Sequence, residues 1–289
     1  MSAIICFGEV LWDCLPRGLF LGGAPMNVAY HLHALGREAL PVSAIGNDFL
    51  GAEVLRRLTG LGLQTPGITH TAEPTGVVRV SVDADGQPSY DIVEHVAWDR
   101  IDLPAAIDPT IDAAEALVFG SLAQRSEANR AALASLLDRV PGMKAFDVNL
   151  RAPYDDLVLV RSLAARSDLV KLNDHELARL QPQDGDLEAR ARALREECGC
   201  AQICVTAGAQ GAGLLAGADW HWAEPEPITV RDAVGAGDSF MAALIDGLLA
   251  RADPGALLHR ASRLAEFVAM SDGATPDYAN APATALKLD

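Results

Sequence analysis

The chain has 289 residues, half of them hydrophobic, with 23 basic against 39 acidic side chains and a formal net charge of −16. That length supports a sizeable core, and the acidic balance repels nucleic-acid phosphates and anionic membranes, so neither is an expected partner. No apolar run is long enough to mark a membrane span, and the opening residues lack a basic leader segment, so we read a cytoplasmic protein. The five cysteines, Cys6, Cys14, Cys198, Cys200 and Cys204, are odd in number and scattered. Reduced thiols fit that pattern better than a disulfide framework. Cys198, Cys200 and Cys204 are close in sequence, but without a C-x-x-C pair or a nearby histidine they read as structural thiols rather than a metal site.

Taken in chain order, residues 3–7 read as a buried strand. Residues 25–35 place Val28, Ala29, Leu32 and Leu35 at helical spacing, with Pro25 suited to a first helical position and Gly36 to a C-terminal cap. Residues 40–45 read as the next buried strand. Val78, Val80 and Val82 then alternate with Arg79, Ser81 and Asp83; a turn signal covers 83–86 and a second extended run covers 89–93. This half-exposed hairpin is either a decorative insertion or a lid over a pocket. Beyond it, 116–119, 144–148, 169–172 and 202–206 read as buried strands, and 129–139 and 187–197 as helices between them. The alternation predicts a mainly parallel sheet with helices on both faces. No repeat, low-complexity tract or linker divides the chain, so 1–289 reads as a single α/β domain.

The strongest local signal is Asp232-Ala233-Val234-Gly235-Ala236-Gly237-Asp238-Ser239-Phe240. Phe240, Met241, Leu244, Ile245 and Leu248 follow at helical spacing, so the glycine-rich turn opens a helix. Its amides and the positive end of the helix dipole would face an anion. Gly235 and Gly237 allow close backbone approach. Asp238 sits at the mouth of that site, where a carboxylate is either a helix cap or a base. The stretch 211–216 matches G-x-G-x-x-A but runs directly into an apolar strand-like segment. We therefore read it as a turn between strands, not a dinucleotide site. The Walker pattern is absent: none of the three lysines, Lys144, Lys171 and Lys287, follows a glycine. Gly22-Gly23-Ala24-Pro25-Met26-Asn27 is a second glycine turn opening a helix, with Asp13 shortly before it. Asp13 and Asn27 suit paired hydrogen bonds to adjacent sugar hydroxyls, although an ordinary turn and helix start would read the same.

Residues 22–29 and 232–238 are similar to the two signatures of the ribokinase-like (PfkB) family of carbohydrate kinases, and the chain resembles its fructokinase branch most. The likeness extends in order through Gly8-Glu9-Val10-Leu11-Trp12-Asp13, Asp147-Val148-Asn149-Leu150-Arg151, Lys171-Leu172-Asn173-Asp174-His175-Glu176 and residues 205–211. The resemblance implies a three-layer ribokinase-like α/β core with a small β-lid from about 12–21 and 75–99. It implies transfer of the γ-phosphoryl group of ATP to a sugar hydroxyl, fructose first. Ribose, a nucleoside or 2-keto-3-deoxygluconate on the same fold are the alternatives, and a non-catalytic sugar-binding regulator is a remoter one.

At matching positions the resemblance implies Asp238 as the base and the amides of Gly235, Ala236 and Gly237 as an anion hole. It implies sugar contacts from Asp13, Gly23, Asn27 and Arg151. Lys171, Asn173, Glu176, Thr206, Gly208 and Gly211 would line ATP, with Glu176 holding Mg²⁺ through water. Asp232 and Val234 match positions that hold a monovalent cation such as K⁺ in some members. Ala233 replaces the usual Thr of the second signature, and 15–21 is shorter than the corresponding lid loop of many members, which leaves a lid-mediated homodimer and the sugar specificity open. A sugar acid would need a basic residue, and Arg17, Arg79 and Arg100 lie in or near the lid. His175 and Glu176, being adjacent, point different ways on a helix and do not read as a metal pair.

Overall fold

A computed structural model describes residues 2–15, 18–82 and 88–287. The strands, in chain order, are β1 (Ile4–Phe7), β2 (Leu11–Leu15), β3 (Gly18–Gly22), β4 (Ala39–Gly46), β5 (Ile68–Thr71), β6 (Gly76–Val82), β7 (Pro88–Ile92), β8 (Ala116–Gly120), β9 (Met143–Asp147), β10 (Leu169–Asn173), β11 (Gln202–Thr206), β12 (Ala212–Ala216) and β13 (Asp219–Ala223). The helices are α1 (Ala24–Ala34), α2 (Phe49–Gly60), α3 (Asp108–Asp112), α4 (Glu127–Arg139), α5 (Leu157–Ala164), α6 (Asp174–Leu180), α7 (Leu187–Cys198), α8 (Ala236–Leu249), α9 (Pro254–Ala269) and α10 (Ala283–Leu286).

Nine strands form the main sheet in the order β13-β12-β11-β10-β9-β8-β1-β4-β5. From β11 to β5 every pairing is parallel; β12 and β13 add an antiparallel edge. The central parallel strands β1 and β8, Ile4–Phe7 and Ala116–Gly120, are apolar along their whole length and buried on both faces. One face is covered by α1, α8 and α9 through Met26, Val28, Leu32, Phe240, Leu244 and Leu257. On the other face lie α4, α5 and α7, through Leu133, Leu136, Val160 and Leu194. This is the three-layer core the alternation predicts.

β2 and β3, within the region of about 12–21 expected in a small β-lid, pair antiparallel. A second sheet of order β3-β2-β6-β7 results, in which β2 pairs with β6 in parallel and the outer pairs are antiparallel. The extended runs expected around Val78 and after Ser89 are β6 and β7; the turn signal at 83–86 and Arg17 lie outside the described residues. This small sheet rests on the core through Leu11, Val78, Val96, Trp98 and Leu122. Trp12 anchors it further, its Nε1 donating to the Leu50 carbonyl at 3.1 Å.

Helix caps separate the helices into two groups. Asp48, Ser126, Asp156, Asp186 and Asp253 cap α2, α4, α5, α7 and α9 with side-chain oxygens that accept from first-turn amides. By contrast α1 and α8 begin after glycines, Gly23 and Gly235, with no side-chain cap. An uncapped first turn leaves N–H groups for something else to satisfy. The first turns of α1 and α8 lie together, joined by the hydrogen bond from Asn27 to Asp238.

Candidate active site

The main sheet carries β1, β4 and β5 toward one edge and β8 to β11 toward the other. The crevice at the carboxyl ends of the strands, where strand order reverses, is where open α/β sheets hold ligands. Around it stand Gly8 and Glu9 after β1, Asp147 ending β9, Asn173 ending β10 and Thr206 ending β11.

Asp238 is the third residue of α8, and Gly235 is the N-cap. Its carboxylate does not cap its own helix. Oδ2 accepts from Asn27 Nδ2 at 2.7 Å, across 211 residues of sequence. Asn27 is itself buried on α1, and its Oδ1 has no partner among the described residues. Asp238 keeps some solvent contact, yet the atoms crowding it raise its carboxyl to about 6. Burial is the main cause, the Asn27 donor opposes it, the charge of Asp147 adds to it, and Lys171 and Arg151 pull back. The neighbouring Ala236 amide makes only a long 3.4 Å bond to the Ala233 carbonyl. An ionisable carboxylate thus stands beside a first turn available to an anion.

Three further charges complete the cluster. Glu9 is buried; its Oε1 accepts from the Ala24 amide that opens α1 at 3.2 Å, and its Oε2 has no partner among the described residues. Burial pushes this carboxyl to about 7, against the amides of Glu9 and Ala24, with Asp238 adding to the rise and Arg151 opposing it. On β2, Asp13 is raised by burial and held down by Arg151. Arg151, exposed, therefore acts on all three carboxyls. Gly22 gives Asp13 its room: a Cβ there would come within 2.6 Å of Asp13 Oδ2. Gly23 has φ 114°, and a Cβ would sit 2.2 Å from the Glu9 carbonyl oxygen, so only glycine makes this turn.

On the other side of Asp238, Lys171 Nζ donates to both oxygens of Asp147 at 3.0 Å, and the pair is buried. Burial opposes the Lys171 charge, but Asp147 overcomes it and the pKa rises. A Cβ on Gly237 would stand 3.6 Å from Lys171 Nζ, so the ammonium faces the opening turn of α8. Asn173 caps α6, its Oδ1 accepting from the Glu176 amide at 2.8 Å. Glu176 returns the contact from Oε2 to the Asn173 amide, while its Oε1 takes the Leu150 amide at 2.7 Å. Thr206 is in register with Asn173 on one side and Ala212 on the other. Gly208 (φ 52°) faces open space, whereas Gly211 (φ 127°) is packed: a Cβ would meet the Ala223 carbonyl oxygen at 2.4 Å and the Trp222 ring at 2.9 Å. The loop of Asp232 and Val234 is pinned where the amides of Arg231 and Asp232 donate to the Ala269 carbonyl, and Asp232 Oδ1 accepts from Val234 N at 3.1 Å.

Sequence reading assigned no role to Glu9 or Asp147. Each is a lone carboxylate at the end of a buried strand, and that position was the one available signal. Of the basic residues considered for a sugar acid, Arg79 pairs with Asp91 at 3.5 Å and Arg100 with Glu73 at 2.9 Å, all four on the small sheet or its flanks.

An α/β sheet that gathers carboxylates and a buried ammonium around a free helix terminus defines an enzyme that handles an anionic group. The chain belongs to the pfkB family carbohydrate kinases, whose family model matches residues 7–280. It is a phosphotransferase acting on a sugar hydroxyl. It is 29% identical to a fructokinase of Klebsiella pneumoniae over 294 residues, covering 96% of this chain and 94% of that one. A putative ribokinase II from E. coli in complex with ATP and Mg²⁺ has the same fold, with a TM-score of 0.83, 21% identity and 95% of each chain covered. A Vibrio cholerae fructokinase bound to fructose, ADP and calcium superposes with a TM-score of 0.80 at 22% identity, again over 95% of each chain.

Proposed function

We propose that this chain transfers the γ-phosphoryl group of ATP to a hydroxyl of fructose, with Asp238 as general base. The observation that carries the reading is the place of the Asp238 carboxylate, beside the free first turn of α8 and joined to Asn27. As the new P–O bond forms, the hydroxyl proton passes to Asp238 and the β–γ bridging oxygen leaves with ADP. The amides of Gly235, Ala236 and Gly237, with Lys171 behind them, offer positive potential where phosphate charge develops. Asp13, Gly23, Asn27 and Arg151 would hold the sugar. Three carboxyls around a single arginine favour a neutral polyol over a sugar acid, whose carboxylate they would repel.

Thr206, Gly208 and the strand end at Asn173 would line the nucleotide. No group of three metal-ligating side chains exists among the described residues. Glu176 spends one lone pair of each oxygen on a backbone amide, which leaves acceptors for water but no free bidentate face. This suits a Mg²⁺ that keeps its waters and binds phosphate oxygens, as that ion prefers. When bound with ATP, Mg²⁺ would neutralise phosphate charge that this acidic protein does not. By the family resemblance, Asp232 and Val234 would hold a monovalent cation. A coupled ADP-release assay over fructose, ribose, nucleosides, 2-keto-3-deoxygluconate and tagatose tests the substrate: fructose should give the highest kcat/KM. Ribose or adenosine leading, with fructose near background, rejects fructose while leaving the kinase class standing.

A further inference from the structure

We propose that Cys198 and Cys200 form a reactive dithiol that small-molecule disulfides convert reversibly to an intramolecular disulfide. The pair lies outside the active site, where α7 gives way to β11, and this inference does not depend on the substrate.

The geometry comes from the helix end. Gly199 is the C-cap of α7 and adopts φ 71°, the left-handed conformation that glycine takes freely. That reversal folds Cys200 back on Cys198, and the two sulfurs come within 3.2 Å, in S–H···S contact. All five cysteines are free. Disulfide formation requires the sulfurs to close to about 2.05 Å, so the reduced pair stands little more than an ångström from the bonded distance. The two members are unlike. Cys198 is partly exposed and Cys200 is buried, which makes Cys198 the entry point and Cys200 the resolving thiol. A shared thiol proton lowers the Cys198 pKa to about 7, although burial and the Glu197 charge oppose it, and the Cys200 thiol is pushed up. A thiol with a pKa near ambient pH is the most effective attacker in exchange.

The other cysteines lack this arrangement. Cys6 and Cys204 are buried, and burial pushes the thiols of both upward. Cys14 is partly exposed, but its sulfur is directed at the Trp12 carbonyl at 3.9 Å, and burial and Asp13 raise its pKa.

The chemistry balances with a disulfide as oxidant. Cys198 gives its proton to water, and the thiolate attacks one sulfur of the reagent, forming a mixed disulfide and expelling one thiolate. Cys200 then loses its proton and attacks the Cys198 sulfur, expelling the second. Two protein thiols are oxidised and one reagent disulfide is reduced to two thiols.

Oxidised glutathione is the probe, with the intact protein and peptide mapping by mass spectrometry. The peptide carrying both residues should lose two hydrogens, retain no glutathione and recover on treatment with dithiothreitol. Cys200→Ser should stop at one glutathione on Cys198. Cys198→Ser should leave Cys200 unmodified, or modified at least about tenfold more slowly than Cys198 in the Cys200→Ser protein, as expected of a buried thiol with a raised pKa. A glutathione persisting on Cys198 in the parent protein overturns the proposal. So does reaction at Cys14 with neither residue of the pair touched, or Cys198→Ser reacting at Cys200 as fast as that reference. The parent measurement needs no variant, so a serine protein that fails to fold leaves it decisive.

Discussion

Replacing Asp238 with Asn should separate catalysis from stability. The carboxyl sits at about 6 because burial outweighs the Asn27 hydrogen bond and the nearby cations. Each pK unit is worth about 1.4 kcal/mol. Keeping this group ionised at pH 8 therefore costs the fold on the order of 3 kcal/mol, reduced by whatever its residual solvent contact screens. The sign follows from the direction: the folded pKa lies above the unfolded one. This contribution favours folding fully at pH values below the unfolded pKa and is lost as pH rises through about 6. The substituted amide carries no charge to desolvate, and its carbonyl can still accept the 2.7 Å bond from Asn27. The variant should melt at least as high as the parent at pH 8, with the difference shrinking toward pH 5. Turnover should nonetheless fall by about 10²–10⁴, the usual contribution of a positioned base. The assays are thermal melts at pH 5 and pH 8, ADP release under saturating ligands, and calorimetric binding of ATP and sugar. A folded variant that keeps more than roughly a tenth of parental kcat would falsify the assignment of the base. A large loss of stability at pH 8 would instead refute the electrostatic reasoning.

For the parent enzyme, kcat/KM should fall about tenfold per pH unit below roughly 6, because only ionised Asp238 accepts the proton; a flat profile from pH 5 to 8 argues for another base. Lys171→Met should cost about 3–5 kcal/mol in denaturant titration, since it strands the buried Asp147 carboxylate. Adding Asp147→Asn to it should recover part of that loss, and no recovery would show that the two charges are not coupled.

The parallel core was legible because its strands are mostly apolar runs with helices between them, and α8 because a glycine turn is followed at once by Phe240, Met241 and Leu244. The pairing of β2 with β3 was reached only through the family resemblance, because Asp13 and Gly18 break the apolar pattern of those strands. Glu9 and Asp147 escaped notice for a different reason. Asp147 owes its role to Lys171 on the neighbouring strand, 24 residues on, and only sheet register brings them together. Glu9 matters through Ala24 and Asp238, neither of which is near it in sequence. The contact at Cys198 and Cys200 depends on the φ of Gly199, and scattered thiols carry no sign of it. Gly211 illustrates the limit of a motif: its place in the family pattern suggests the nucleotide, yet Trp222 and Ala223 already account for a glycine there.

The bond from Asn27 to Asp238 spans 211 residues, and α1 buries Met26, Val28 and Leu32 in the same cluster as Phe240 and Leu244 of α8. A chain made from its N-terminus at about 5–20 residues per second leaves that α1 surface without its partner for roughly 10–40 s. For that interval the nascent protein carries an apolar helix face, and Asn27 lacks the Asp238 carboxylate it bonds in the finished fold. The shared core of α1 and α8 closes only once the ribosome has delivered the C-terminal part of the chain.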